Sequence, residues 1–218
     1  MARKTIPGLP EVEFCTIYCI GRNYSEHAKE LNNDVPENPM IFLKPASSII
    51  FDGDSIHLPK QSNNVHHEVE LVVALGKEGK NISQTDALEY VAGYGVGIDV
   101  TARDLQQQAK EKSYPWAVAK GFDTFAPISN FVPASEISDP QNLEISISVN
   151  GSQRQQSNTS MMIFPVMELV SYLSGIFTLH PGDLIFTGTP QGVSPIKKGD
   201  QIEATLGESL VKLSVGVQ

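Results

Sequence analysis

Two glutamates stand inside an apolar run at residues 65–76, which reads VHHEVELVVALG. Successive side chains of a β-strand point to opposite faces, so Glu68 and Glu70 share one face while aliphatic residues fill the other. Like charges this close on one face destabilise a sheet unless water or a cation compensates them. The pattern therefore leaves two interpretations, a solvated strand face or a cation-binding site.

An aspartate at the end of a second strand favours the cation site. Residues 93–104 read GYGVGIDVTARD. Asp99 falls on the same strand face as three glycines, and the lack of side chains on that face leaves room for another group to approach the backbone closely. By itself, Asp99 is also compatible with a plain helix-flanking aspartate. With Glu68 and Glu70 it completes three carboxylates that lack a cysteine partner or a clear histidine pair, a set that suits Mg²⁺, Mn²⁺ or Ca²⁺.

A second candidate group is the pair His27 and Glu30 in SEHAKEL, residues 25–31. Residues three apart are neighbours on one face of a helix, and an imidazole oriented by a carboxylate is the minimum that a general base requires. The alternative is an exposed helix pair that contributes a few tenths of a kcal/mol.

Basic residues and a turn stand near these groups. Three carboxylates around a divalent cation leave a formal charge of minus one, so an anionic ligand needs further positive groups, and each candidate cation is otherwise an ordinary surface charge. The candidates are Arg22, Lys44, Arg103 and Lys120. The glycine-flanked threonine turn at 186–192, FTGTPQG, lacks the phosphate-loop signature but can offer N–H and hydroxyl donors to a carboxylate.

The elements that must position these residues are mostly strands. Alternating apolar residues, punctuated by glycine and proline, predict an α+β, mainly β chain with few helices. Asn150-Gly151 between two strand-like runs predicts a hairpin. Predicted strands cover 14–20, 40–43, 66–75, 91–99, 143–149, 183–187, 201–206 and 209–216, and predicted helices cover 24–31, 101–111 with Thr101 as N-cap, and 165–177.

Composition excludes some classes of partner. A chain of 218 residues with 40% hydrophobic residues suits one domain, and its net charge of −9 argues against nucleic-acid and membrane-surface partners. Apolar stretches fall short of the ~20 residues of a membrane span, and the first residues show no secretory pattern. Cys15 and Cys19 are predicted to be buried thiols on one strand face, which fits a cytoplasmic location.

Seven motifs follow one another along the chain from about residue 14 to the C-terminus. They are YCIGRNYSEHAKEL, PMIFLKP, HHEVELVVALG, GYGVGIDVTARDLQ, PWAVAKGFDTFAPIS, VNGSQRQQ and GDLIFTGTPQGVSPIKKGD. In this order they resemble the motifs of the fumarylacetoacetate hydrolase family, and in particular those of its short members that act on acylpyruvates and oxaloacetate.

This resemblance implies a mixed β-sandwich or β-roll, a homodimer, and a single catalytic domain at 1–218 with an N-terminal extension at 1–13 and a mobile lid at 23–38. It implies one Mg²⁺ or Mn²⁺ ion held by Glu68, Glu70 and Asp99. The implied catalytic residues are His27, Glu30 and Lys120, and the implied substrate-binding residues are Arg22, Arg103, Gln106 and Thr189.

The implied substrate is a small 2-oxo acid. The leading hypothesis is hydrolysis of the C3–C4 bond of an acylpyruvate, in which His27 activates water and Lys120 stabilises the developing charge. Decarboxylation or keto–enol tautomerisation of oxaloacetate uses the same electron sink and is the first alternative. A carboxylate-binding protein with an idle His27–Glu30 pair is an alternative from another class.

Overall fold

Strands dominate the computed structural model, which describes residues 5–30, 36–208 and 210–218. The strands are β1 (Thr5–Ile6), β2 (Leu9–Glu13), β3 (Ile17–Gly21), β4 (Met40–Lys44), β5 (Ile49–Phe51), β6 (Ser55–Ile56), β7 (Val65–His67), β8 (Val69–Leu75), β9 (Val91–Ile98), β10 (Thr101–Ala102), β11 (Ala126–Ile128), β12 (Val132–Pro133), β13 (Glu144–Val149), β14 (Ser152–Asn158), β15 (Leu184–Phe186), β16 (Ser194–Pro195), β17 (Gln201–Leu206) and β18 (Val211–Val217). The helices are α1 (Ser25–Glu30), α2 (Arg103–Glu111), α3 (Ala117–Lys120) and α4 (Val166–Ile176).

Parts of four predicted segments lie outside the described residues. They are residues 1–4 of the predicted extension, residues 31–35 of the predicted lid, residue 31 of the predicted helix at 24–31 and residue 209 of the predicted strand at 209–216. The remainder of the lid segment contains α1 and the approach to β4.

Two mixed sheets form the layers of the fold. The larger has the order β4-β3-β15-β8-β9-β11-β5, with β12 also paired to β9, and the smaller has the order β14-β13-β17-β18-β6. Strands β13, β17 and β18 of the smaller sheet pack across β8 and β9. The arrangement is a sandwich with apolar side chains between its layers.

Strand β8 is buried on both faces. Leu71 and Val73 belong to the main core between the sheets, whereas Val72 and Ala74 belong to a second core on the opposite face of the larger sheet. The alternation predicted for this run is therefore correct, but both of its faces are covered. Glu70 is two residues before Val72 and therefore lies on the same face of the strand, the face of the second core.

The two longer helices flank this sandwich. α4 presents a buried stripe that includes Leu169 and Leu173 to the main core, and α2 carries polar residues along most of its length. In the part of the chain that the structure describes, no helix has the length and apolar character needed to span a membrane.

The strand predicted at 66–75 is interrupted at Glu68. β7 pairs with β10 and β16 in a separate three-stranded sheet, whereas β8 pairs with β9 and β15. Thr101 is also not a helix N-cap: it lies in β10, and its hydroxyl donates to the carbonyl of Asp99 at 3.1 Å. Pairing with β7 extends this segment before α2 begins at Arg103.

Local backbone geometry follows the sequence signals at two places. Asn150 and Gly151 both have positive φ, 52° and 75°, as the predicted hairpin requires. At Gly97 in β9, a Cβ would lie 2.6 Å from Val72 and 2.7 Å from Phe186, so the bare glycine face is filled by the protein's own side chains.

The two cysteines differ in environment. Cys19 is buried in β3, as predicted, but Cys15 is exposed. The prediction for Cys15 is wrong because β3 begins at Ile17, so the strand alternation does not extend back to residue 15.

Candidate active site

Three carboxylates converge where β8 and β9 end. Val69 is paired with Ile98 in the antiparallel ladder, which places Asp99 opposite Glu68, and the Asp99 N–H donates to the Glu68 carbonyl at 2.8 Å. One oxygen each of Glu68, Glu70 and Asp99 lies within 4.8 Å of the others. All three residues are at most 4% exposed, which excludes the solvated strand face.

Burial and mutual repulsion shape the protonation of these groups. Burial raises the pKa of Glu70 well above its ordinary value, and the neighbouring Asp99 and Glu68 raise it further. Burial also acts to raise the pKa of Glu68, but Lys120 and Arg103 outweigh it and lower that pKa. A cation is therefore already compensating Glu68, whereas Glu70 is the carboxylate that most needs one.

Lys120 lies against two of the carboxylates. Its ammonium donates to Glu68 Oε2 at 2.9 Å and to Asp99 Oδ2 at 2.5 Å, and the residue is 2% exposed. Burial acts to lower the pKa of Lys120, but Asp99 and Glu68 reverse that effect and raise it. Arg103 at the start of α2 pairs with the other oxygen of Glu68.

Lys44 is a second buried ammonium. It donates to three backbone carbonyls, those of Val100, Lys120 and Phe125. Its nitrogen also forms an ion pair with Asp99 Oδ1 at 2.8 Å, but among the described residues no donor makes a hydrogen bond of good geometry to that oxygen. Asp99 Oδ1 is therefore a buried acceptor with a vacant lone pair.

These features fit a divalent cation. A buried carboxylate oxygen without a hydrogen-bond partner is rare, and here it belongs to a group of three carboxylates whose second member, Glu70, has a raised pKa. The donor set is all oxygen, which suits a hard cation such as Mg²⁺ or Mn²⁺ better than zinc.

The threonine turn closes one side of the group. The Gly188 N–H donates to Glu70 Oε2 at 2.7 Å, and Gly188 has a φ of 99°. A Cβ at this position would lie 2.7 Å from the Asn23 Cβ, so both the conformation and the space require glycine. Thr189, 3% exposed, follows it into the cavity.

Gln155 of β14 ties that turn to the glutamate strand. Its amide nitrogen donates to Thr189 Oγ1 at 2.8 Å and to the Pro190 carbonyl at 2.7 Å. Its oxygen accepts the Val69 N–H at 3.1 Å and faces His67 Nδ1 at 2.9 Å. Every hydrogen-bonding position of this buried amide is used.

Helix α1 brings a histidine to the same cavity. His27 is 5% exposed, and its Nδ1 lies 3.2 Å from Glu30 Oε2. Glu30 also accepts the Gly192 N–H at 3.0 Å, which docks α1 on the loop before β16. Burial lowers the pKa of His27, against the opposing effects of Glu68 and Glu30. The pair is therefore not an ordinary exposed helix pair, and a proton on Nδ1 leaves Nε2 as the basic atom.

One cavity collects nearly all the site residues predicted from sequence. Glu30 reaches it only through His27. The predicted residues that line the cavity are Arg22, His27, Glu68, Glu70, Asp99, Arg103, Gln106, Lys120 and Thr189. Their roles in binding and catalysis remain predictions.

Sequence reasoning missed two residues and left a third undecided. Lys110 lines the cavity, and its spacing from Arg103 and Gln106 places all three on one face of α2, a signal that the sequence did contain. Gln155 carries no such signal. Lys44 could not be distinguished from a surface cation until its burial was known.

Comparison with known proteins identifies the family. Residues 16–218 match the model of the fumarylacetoacetate (FAA) hydrolase C-terminal domain. The chain belongs to the fumarylacetoacetate hydrolase family. It is 50% identical to a mitochondrial oxaloacetate decarboxylase of Dictyostelium discoideum, over 86% of each chain. It is 48% identical to a mitochondrial oxaloacetate tautomerase of Arabidopsis thaliana, over 91% of this chain and 90% of the relative.

The fold is that of this hydrolase family. The crystal structure of fumarylpyruvate hydrolase from Pseudomonas aeruginosa, in complex with Mn²⁺ and pyruvate, superimposes with a TM-score of 0.94 at 41% identity, covering 100% of this chain and 96% of that one. The predicted family and the predicted α+β, mainly β fold class are thereby confirmed. The chain is an enzyme of this family.

Proposed function

We propose that this chain is a divalent-metal-dependent hydrolase that cleaves the C3–C4 bond of acylpyruvates, giving pyruvate and a carboxylic acid. The observation that carries the proposal is that the buried carboxylate triad and the His27 imidazole line the same cavity. The similarity to a fumarylpyruvate hydrolase that was crystallised with Mn²⁺ and pyruvate supports it.

In this proposal Glu68, Glu70 and Asp99 hold one Mg²⁺ or Mn²⁺ ion. When bound, the cation supplies Lewis-acid stabilisation for negative charge on the oxygens of the substrate's 2-oxo acid end. The chain adds neutral and cationic donors that line the cavity around the substrate. They are Arg22, Arg103, Gln106, Lys120 and Thr189.

The general base in this proposal is His27. Glu30 holds Nδ1 and so fixes the ring, and Nε2 accepts the proton of a water that attacks the C4 carbonyl. The new C4–O bond then forms the carboxylic acid as the C3–C4 bond breaks, and the electron pair of that bond passes to pyruvate, which takes a proton at C3. Lys120 stabilises the negative charge that develops on the pyruvate portion.

Oxaloacetate decarboxylation or tautomerisation is the second candidate function. The names of the Dictyostelium discoideum and Arabidopsis thaliana relatives favour it. Neither reaction needs an attacking water, so His27 would be dispensable as a hydrolytic base, whereas the triad would be needed as before.

The homodimer and the cytoplasmic location remain predictions. The two relatives named above are mitochondrial proteins, so the compartment of this chain is to be determined by localising the protein itself.

The direct test is a product assay on the purified full chain. The protein is first freed of metal with a chelator and assayed with acetylpyruvate and with oxaloacetate. Both assays are then repeated after Mg²⁺ or Mn²⁺ has been added back. We expect metal-dependent formation of pyruvate and acetate from acetylpyruvate. Turnover of oxaloacetate alone would favour the second candidate, and tight oxalate binding without turnover of either would favour a non-catalytic carboxylate-binding protein.

A further inference from the structure

Lys110 is a cavity cation that the proposed mechanism does not use. It lies on α2 and lines the cavity together with Arg22. Within the described ranges, neither side chain has an ion pair or a side-chain hydrogen bond. Arg22 has a φ of 60°, so its backbone adopts a conformation that is unfavourable for a long side chain and yet leaves that side chain at the cavity.

An aromatic wall connects Lys110 with Lys120. The Lys120 nitrogen lies 4.9 Å from the centre of the Phe42 ring, and the Phe42 and Trp116 ring centres are 5.7 Å apart. The Lys110 nitrogen lies 5.6 Å from the centre of the Trp116 ring. Lys120 is buried beside the triad, whereas Lys110 is only partly buried, so the wall has an ammonium at its inner and at its outer end.

The formal charges that line the cavity leave a positive surplus that a second anion can balance. Four cations and three carboxylates line the cavity, and a divalent cation brings the formal charge to plus three. One substrate carboxylate leaves a surplus of two positive charges. Burial lowers the pKa of Lys110, and the neighbouring Arg22 and Arg103 lower it further, which is the behaviour of an ammonium among like charges.

We propose that Lys110, with Arg22 beside it, binds a second carboxylate at the distal end of the substrate. The preferred substrates are then 2-oxo dicarboxylates whose middle portion lies along Phe42 and Trp116. This inference rests on the proposed function, because it takes the 2-oxo acid end to be bound at the triad. The subsite formed by Lys110 and Arg22 favours acylpyruvates that carry a carboxylate on the acyl group. It also accommodates oxaloacetate.

The test uses binding of ligands that cannot be cleaved. Trp116 is the only tryptophan of the chain, so its fluorescence reports ligands at this wall. The Mg²⁺-loaded protein is titrated with 2-oxoglutarate against 2-oxopentanoate, and with 2-oxoadipate against 2-oxohexanoate. Each pair differs in a terminal carboxylate. We expect the dicarboxylate of at least one pair to bind about 10- to 100-fold more tightly, as for one charge-assisted hydrogen bond.

Three variants separate charge from packing. Lys110→Met should abolish the preference within each pair, Lys110→Arg should retain it, and Lys112→Met, an exposed lysine just after α2, should leave it unchanged. Oxalate has no distal group, so its affinity should be the same in all three variants. A Lys110→Met protein that still prefers the dicarboxylates, or a wild type with no preference, overturns the subsite. A wild type that binds no 2-oxo acid and no oxalate overturns the proposed function itself.

Discussion

Burying an isolated carboxylate costs more free energy than burying a neutral polar group, and this site buries three. Two lysines and an arginine compensate Glu68 and Asp99, whereas Glu70 accepts a backbone N–H from Gly188. A protein that used these cations only for stability would have little reason to add Glu70. The third carboxylate is best explained by a ligand that carries positive charge.

Replacing His27 separates the two candidate functions. In His27→Ala, acylpyruvate hydrolysis should fall by about 10²- to 10⁴-fold, because no base remains to activate water. Oxaloacetate decarboxylation should change only a few-fold. His57→Ala, at an exposed histidine, is the matched control, and steady-state kinetics with both substrates is the measurement. Full hydrolytic turnover in His27→Ala would contradict the assigned role.

The pH profile of hydrolysis should report the same histidine. Burial lowers the pKa of His27 below its ordinary value of about 6.5, so the neutral, basic form predominates at neutral pH and the rate should fall only on the acid side, with a midpoint below that value. Glu30 raises this pKa by stabilising the imidazolium, so Glu30→Gln should move the acid limb to lower pH. If the midpoint of the acid limb in Glu30→Gln stays in place or moves to higher pH at saturating metal, a group other than His27 is titrating.

Residue types alone predicted part of this site. Strand parity gave the shared face of Glu68 and Glu70, and the helical spacing of His27 and Glu30 gave their contact at 3.2 Å. Lys44 could not be predicted, because its partners are carbonyls remote in sequence, those of residues 100, 120 and 125. No local pattern encodes contacts of that kind.

Among the structural elements, the turn at Gly188 contacts the triad directly, because its backbone N–H donates to Glu70. Gly188→Ala should lose about 1–2 kcal/mol from the positive φ and about 1–3 kcal/mol more from the contact with Asn23. Gly199→Ala shares a positive φ, 92°, but its Cβ would meet nothing within 4 Å, so it measures the first effect alone. Equal destabilisation of the two variants in urea unfolding would contradict the contact as a cause.

The element that carries Gln155 can be tested in the same way. Gln155→Ala leaves the Val69 N–H and the Thr189 hydroxyl without their partner, and an unsatisfied buried group costs about 1–3 kcal/mol. We also expect a raised KM, because Thr189 loses its support. Gln156→Ala, at the exposed neighbour, should be close to neutral. A neutral Gln155→Ala in both unfolding and kinetics would mean that this network does not position the turn.

Gln155 also shows why the elements were only partly predictable. A bulge in the β13–β14 ladder pairs Ser148 with Gln153 and Ile147 with Gln155, so the alternation shifts by one residue at Arg154. The break of the predicted 66–75 strand at Glu68 has a similar origin, since β7 pairs with strands that lie far away in sequence. Hairpins and apolar strands follow from the local sequence. Bulges and changes from one sheet to another depend on pairing with strands that are remote in sequence.

For the whole molecule, the charge of the cavity opposes the charge of the chain. The net charge is −9, yet cations outnumber carboxylates along the cavity even before a metal binds. Such a local field attracts small anions while the remainder of the surface repels polyanions. This agrees with a small 2-oxo acid as the partner, and the family and the fold class were predictable from the sequence because their motifs span nearly the whole chain.

Binding of Mn²⁺ to the metal-free protein tests the central claim most directly. By electron paramagnetic resonance, wild type should bind one ion per chain, and its folding stability should increase by about 2.7 kcal/mol at 100 times the Kd. Glu70→Gln should lose both effects while its metal-free melting temperature does not fall, because the substitution removes a buried carboxylate from beside Glu68 and Asp99. Glu89→Gln, at an exposed position, should behave as wild type. Equal Mn²⁺ affinity in wild type and Glu70→Gln would contradict a metal centre at these three carboxylates.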